Sequence, residues 1–360
     1  MSKNLSRGRL LVSMFLLAAI AGPARAAEPL RVGFVYVSPI GQAGWTYQHE
    51  LARQEMQRAL GDQVTSRFVE AVPEGADAER VMRDLAQQGH RLIFATSFGY
   101  LEPALRVAAD HPEVRFEHAG GYKTAANLNT YNARIYEARW LAGWLAGKTS
   151  RRGVAGYVAG FPLPEVVQGI NAFALGMRAA NPKATVRVLW LNNWFDPPKE
   201  REAALALINA GADVLTNHSA SAAVPQVAEE KGVGLIAYQS DMRAHAPNAQ
   251  LAAVTADWGE YYTRVAQSVI AGTWRARPVW GGMQDGMVRL VALSPRLPPA
   301  VAKELAAREK LLVAGKAGPF VGRLIDQGGR LRQTSGSLAD IEIARMDWFV
   351  QGVSGTLPKP

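Results

Sequence analysis

The 360-residue chain contains no cysteine, which excludes disulfides, thiol catalysis, cysteine–zinc clusters and a lipid on a processed N-terminal cysteine. Its length suits about two domains, and 48% apolar residues supply a large core. The formal charge of +9 includes Lys3, Arg7, Arg9 and Arg25; without these four, 36 basic residues face 31 acidic ones, a balance of +5. The remaining charges are interspersed, as in Glu79-Arg80 and Lys199-Glu200-Arg201-Glu202, which marks a solvated surface and not a nucleic-acid groove.

The first element is a secretory signal peptide by its pattern: a basic start, the apolar run Leu10 to Gly22, then Ala24-Arg25-Ala26 for cleavage. The run is short of the ~20 apolar residues of a bilayer span. Residues 1–26 are therefore expected to be removed, leaving a soluble, non-lipidated protein in a Gram-negative periplasm.

Strand-like and helix-like segments then alternate. Leu30 to Val37 reads as a buried strand, Thr46 to Leu60 as a helix and Arg67 to Val72 as a strand. Asp77 to Gln88 is helical, Leu92 to Ala95 a strand, and Leu101 to Ala109 a helix; Val114 to Ala119 ends this series. Beyond a helix at Tyr136 to Lys148, a second series has strands at Val154 to Ala159, Thr185 to Leu191, Val214 to Thr216 and Gly234 to Tyr238. Its helices are Glu165 to Ala180, Lys199 to Ala210 and Ala222 to Lys231, with Gly211 and Gly232 where helices should stop.

The rest crosses back: strand Leu251 to Ala256, helix Tyr261 to Ala271, strand Gly286 to Leu293, and helices Ala300 to Ala314 and Ala339 to Val353. Two such series predict an α/β protein of two lobes, each a mainly parallel sheet flanked by helices. One lobe is expected to take 27–134 plus about 257–295, the other 135–256 plus part of 296–360. A ligand cleft would lie between the carboxyl ends of their strands.

No Gly-x-Ser-x-Gly elbow, Walker loop, His-Glu-x-x-His or dinucleotide fingerprint is present, so neither a catalytic residue nor a metal or cofactor site is assigned. The six histidines read as surface or helix-end residues, and only His218 is placed near a cleft. Asp196, Asp241 and Asp257 follow strand-like segments. Aromatic residues recur just past strands: Trp45, Phe98, Tyr100 and Tyr122 in the first series, then Trp194, Phe195 and Trp258. Any one of them fits core packing equally well; together they suggest two faces gripping a flat ring. Trp140 and Trp144, four apart on one helix, read as core.

These residues resemble the basic-membrane-protein family of ABC-transporter substrate-binding proteins, whose best understood members are purine nucleoside receptors. The resemblance covers most of the mature chain. It rests on Glu137 with Leu141-Ala142-Gly143, Trp194-Phe195-Asp196-Pro197, Glu202-Ala203-Ala204, Ala210-Gly211-Ala212-Asp213-Val214 and Gln239-Ser240-Asp241. It implies the two-lobed periplasmic-binding-protein fold, a permease partner and a small purine-type ligand. Trp45 and Trp194 would stack on opposite faces of the base, and Asp241 would match the second acid of an Asp-x-Asp pattern.

The departures concern the sugar. Gln239 stands where the family has the acid that grips ribose hydroxyls, Asp257 where a lysine is usual, and Pro39 to Trp45 replaces an Asp-x-Ser-Phe-Asn pattern. The expectation is a monomeric binding protein for a free nucleobase, adenine above all. Its site set is Trp45, Phe98, Tyr100, Tyr122, Trp194, Asn217, Gln239, Asp241, Asp257 and Trp258. Two alternatives stay open: a ligand-sensing module for a membrane receptor, and a nucleoside hydrolase.

Overall fold

Buried apolar runs pair side by side in the computed structural model, which describes residues 28–358. The expected signal peptide lies outside them. The strands β1 (Leu30–Val35), β2 (Val64–Val69), β3 (Leu92–Ala95), β4 (Arg115–Ala119) and β5 (Leu128–Ala133) run parallel in the order β5-β4-β3-β1-β2. Helices α1 (Trp45–Leu60), α2 (Ala76–Gln87) and α3 (Leu101–Asp110) connect the first four.

β5 is absent from the sequence reading because Asn129, Thr130 and Asn132 interrupt any apolar run. It is nevertheless buried, since its polar groups find partners: Asn129 Nδ2 donates to Glu117 Oε2 at 3.1 Å and to the Tyr261 hydroxyl at 3.3 Å.

Helix α4 (Ile135–Thr149) carries the chain to the second sheet. There β6 (Val154–Ala159), β7 (Thr185–Trp190), β8 (Val214–His218), β9 (Gly234–Tyr238) and β10 (Gln250–Ala256) are parallel, linked by α5 (Pro164–Ala180), α6 (Pro197–Asn209) and α7 (Ala223–Lys231). Trp140 and Trp144 are buried on α4.

The chain then returns. α8 (Gly259–Ile270) packs on α1, and β11 (Val279–Gly281) adds to the first sheet beside β5. β12 (Val288–Val291) lies antiparallel to β10 in the second sheet. The last crossing therefore falls between Gly281 and Val288, not near 295, because Thr255 and Ala256 pair with Arg289 and Val288. The three crossings are bonded together. Arg134 N donates to Gly281 O at 2.7 Å, Asp257 N to Met287 O at 3.0 Å, and Met283 N to Glu137 Oε2 at 2.7 Å.

Helix α9 (Pro299–Val313) is followed by the hairpin β13 (Leu324–Ile325) and β14 (Leu331–Gln333), α10 (Asp340–Ala344) and β15 (Val353–Ser354), which pairs with β7. The long helix expected over Ala339 to Val353 is thus only α10. Buried Asn171 explains the stop: its Nδ2 donates to Trp348 O at 2.7 Å and its Oδ1 accepts from Val350 N at 2.9 Å. Those backbone groups are satisfied from α5, with no helix required.

Candidate functional site

The carboxyl ends of both sets of strands face one cleft, with about 550 Å³ of empty space that opens to solvent. The first lobe contributes Val37, Trp45, Ser97, Phe98, Ala119 and Gly120. The second contributes Glu165, Trp194, His218, Ser219, Ala220, Tyr238 and Gln239. The lobes touch at the rim: Gly44 N and Gln48 Nε2 each donate to Ser240 Oγ at 2.9 Å. Gly44 has φ +98°, and a Cβ there would come within 2.7 Å of Ala220 O, so this approach needs glycine.

Two indoles define the walls. Trp45 opens α1, and its Nε1 donates to Thr96 O at 2.6 Å, which fixes the ring and leaves no N–H for a ligand. Behind it His49 stacks on Trp258 at 5.4 Å, and both rings meet Trp45 edge-on. Trp194, in the loop after β7, lies across Gly160 and meets Phe161 edge-on at 4.9 Å. A Cβ at Gly160 would sit 2.6 Å from Trp194 Cε3.

The polar groups come mostly from the second lobe. Glu165 is in the first turn of α5, where the helix dipole favours its charge. Its Oε2 accepts from Asn132 Nδ2 of the first lobe at 3.1 Å. Burial raises its carboxyl pKa above the usual range, and the Asn132 bond pulls the other way. His218 Nε2 lies 3.1 Å from the Tyr238 hydroxyl, and Nδ1 has no protein partner. Burial and then the Arg139 charge hold its pKa well below the ordinary histidine value, so the ring is neutral. Gln239 sits at φ +67°, a strained conformation for a non-glycine residue, and its buried Oε1 is unpartnered.

Of the residues singled out in the sequence, Trp45, Phe98, Trp194 and Gln239 come together here. Tyr100 is buried in the first-lobe core, with its hydroxyl donating to Val72 O at 2.6 Å. Tyr122 is 67% exposed and packs on the outside of Phe98. Asn217 precedes His218 on β8, so its side chain takes the opposite face, and its Nδ2 serves Ser219. Asp241 pairs with Arg243 and accepts from Gln250, while Asp257 pairs with Arg289 at 3.0 Å. Neither lines the cleft. Trp258 lies beneath it, under Trp45.

Asp196 caps α6 by accepting from Lys199 N, and Phe195 is exposed. His218 lies at the cleft and His90 at the end of α2, as expected, but His49 and His118 are buried inside the first lobe and correct the surface or helix-end reading. Sequence reasoning missed Glu165, Tyr238 and Ser97. Tyr238 had a signal, as the last residue of a buried strand; Glu165 had only its place in a helix that opens after β6.

Residues 30–315 match the family described as ABC transporter substrate-binding protein PnrA-like. The chain belongs to that family. This PnrA-like protein is 46% identical over 341 residues to a purine-binding protein of Brucella abortus, an alignment covering 94% of this chain and 97% of that one. It is 38% identical over 337 residues to a putative ABC transporter glucose-binding protein of Haloferax volcanii, covering 94% and 83%. An ABC transporter solute-binding protein from Conexibacter woesei shares the fold, with a TM-score of 0.66 at 22% identity, covering 80% and 97%.

The PnrA-like protein is thus a substrate-binding component of an ABC transporter, which takes a small molecule to a permease, and not an enzyme. Among the described residues no helix is long and apolar enough to cross a membrane.

Proposed function

We propose that this PnrA-like protein binds a free purine base, adenine in the first place, in the periplasm and presents it to its permease. One observation carries the reading: indoles from opposite lobes, Trp45 and Trp194, line a single cleft with few free polar groups. A flat ring between them gains ~0.5–1.5 kcal/mol per stacked pair beyond area burial. The name of the Brucella relative supports a purine.

The donor and acceptor set favours a base over a nucleoside. A free base carries a ring N–H that glycosylation removes, and that proton needs an acceptor. Glu165 Oε1 is without a protein partner among the described residues and supplies that acceptor. A buried charge-assisted bond of this kind contributes ~1.5–3 kcal/mol. No acid stands at Gln239 to hold ribose hydroxyls. The Haloferax relative's name points to glucose, and a sugar ring can also lie on an indole. Its crown of hydroxyls, however, asks for more acceptors than one carboxylate and one amide.

Titration calorimetry against adenine, adenosine, guanosine and glucose tests the reading. Adenine is expected to bind at least tenfold more tightly than the rest. Tight adenosine or glucose binding with no response to adenine overturns it.

A further inference from the structure

His218, Tyr238 and Arg139 form a connected chain behind the cleft wall. Arg139 on α4 is fully buried, and among the described residues no carboxylate lies within ion-pair distance of it. Its Nη1 donates to Thr216 Oγ1 at 2.8 Å and its Nη2 to Asn217 O at 2.6 Å. The guanidinium carbon lies 3.9 Å from the Tyr238 ring centroid and 5.1 Å from that of Tyr157, so aromatic faces take the place of a counter-ion.

A buried cation orients the dipoles around it. With the Arg139 cation over its ring, the Tyr238 hydroxyl is made a better donor, and the polar neighbour within its reach is His218 Nε2 at 3.1 Å. A neutral imidazole that accepts at Nε2 carries its own proton on Nδ1. That nitrogen is the one without a protein partner, on a ring that lines the cleft.

We infer that His218 is a specificity-determining residue presenting a fixed Nδ1–H donor to the cargo, with Tyr238 and Arg139 as positioning residues. The inference rests on the purine reading and extends it: the base must offer an unprotonated ring nitrogen to His218. Gln239, at the end of the adjacent strand β9, carries the unpartnered Oε1 that accepts from a neighbouring N–H. An acceptor beside a donor is the pattern along the edges of adenine.

The test uses the full chain with adenine and its 1-, 3- and 7-deaza analogues, each of which replaces one ring nitrogen by C–H. One analogue is expected to bind about tenfold more weakly than adenine, the loss of one buried hydrogen bond. That difference should vanish in His218→Leu and return in His218→Asn, which keeps a donor near the Nδ1 position.

Nitrogen-15 NMR of His218 reads the tautomer independently of the variants. The proton is expected on Nδ1, and Tyr238→Phe should shift it toward Nε2. Equal binding of all four bases, or a proton on Nε2 in the native protein, overturns the inference. Failure of every purine to bind overturns the cargo reading instead, and the tautomer then decides the role of His218.

Discussion

Trp194 owes its position to the absence of a side chain beneath it. With Cβ only 2.6 Å from Cε3, Gly160→Ala must push the indole into the cleft or away from Phe161. The substitution is expected to weaken ligand binding about tenfold or more in calorimetry, while the thermal midpoint moves by only a few degrees. Unchanged affinity would show that the ring does not contact the ligand. At this scale, part of the cleft was legible. Trp45, Phe98 and Trp194 follow strands, and that position puts a side chain at the carboxyl edge of a sheet. The acids were not. Asp257 faces Arg289 because β10 and β12 pair antiparallel, and no spacing in the sequence shows which residues such a register brings together. Glu165 becomes a cleft residue only when its helix meets Asn132 from the other lobe.

Elements are held by buried polar groups as much as by apolar faces. Glu117 on β4 accepts from Tyr261 of α8 at 2.7 Å, from Trp274 Nε1 at 2.8 Å and from Asn129 of β5 at 3.1 Å. It thereby fastens the returning segment to the first sheet. Burial nevertheless wins over these bonds and pushes its pKa up to about 7 from 4.5. The folded protein then binds the proton more readily than the unfolded chain, so this group's contribution falls as pH rises between about 4.5 and 7. Glu117→Gln is expected to remove that slope: denaturant titrations should show the native protein losing roughly 3 kcal/mol more than the variant from pH 4.5 to 7.5. Parallel stability profiles would contradict it. Elements with a clear apolar period were legible, β3, β6 and β9 to the residue. β5 and the segment after α10 were not, because Asn129 and Asn171 hold backbone and side chains in place by bonds that leave no periodic trace.

The two lobes are built on two mainly parallel sheets joined by three bonded crossings, with the rim contact from Gly44 and Gln48 to Ser240 holding one against the other. Two-lobed frames of this kind commonly close about a hinge, and a ligand bound between lobes stabilises the closed form. The two-lobe plan could be read from the alternation of strands and helices; the interleaving of β11 and β12 between lobes could not, since both strands are only a few residues long. The central claim, that the cleft carries a purine base, can be tested on the protein as cells fill it. Protein purified without added ligand is denatured, and the released small molecules are identified by mass spectrometry. A free purine base is expected at close to one per chain; a nucleoside or a hexose in that proportion would overturn the purine-base reading.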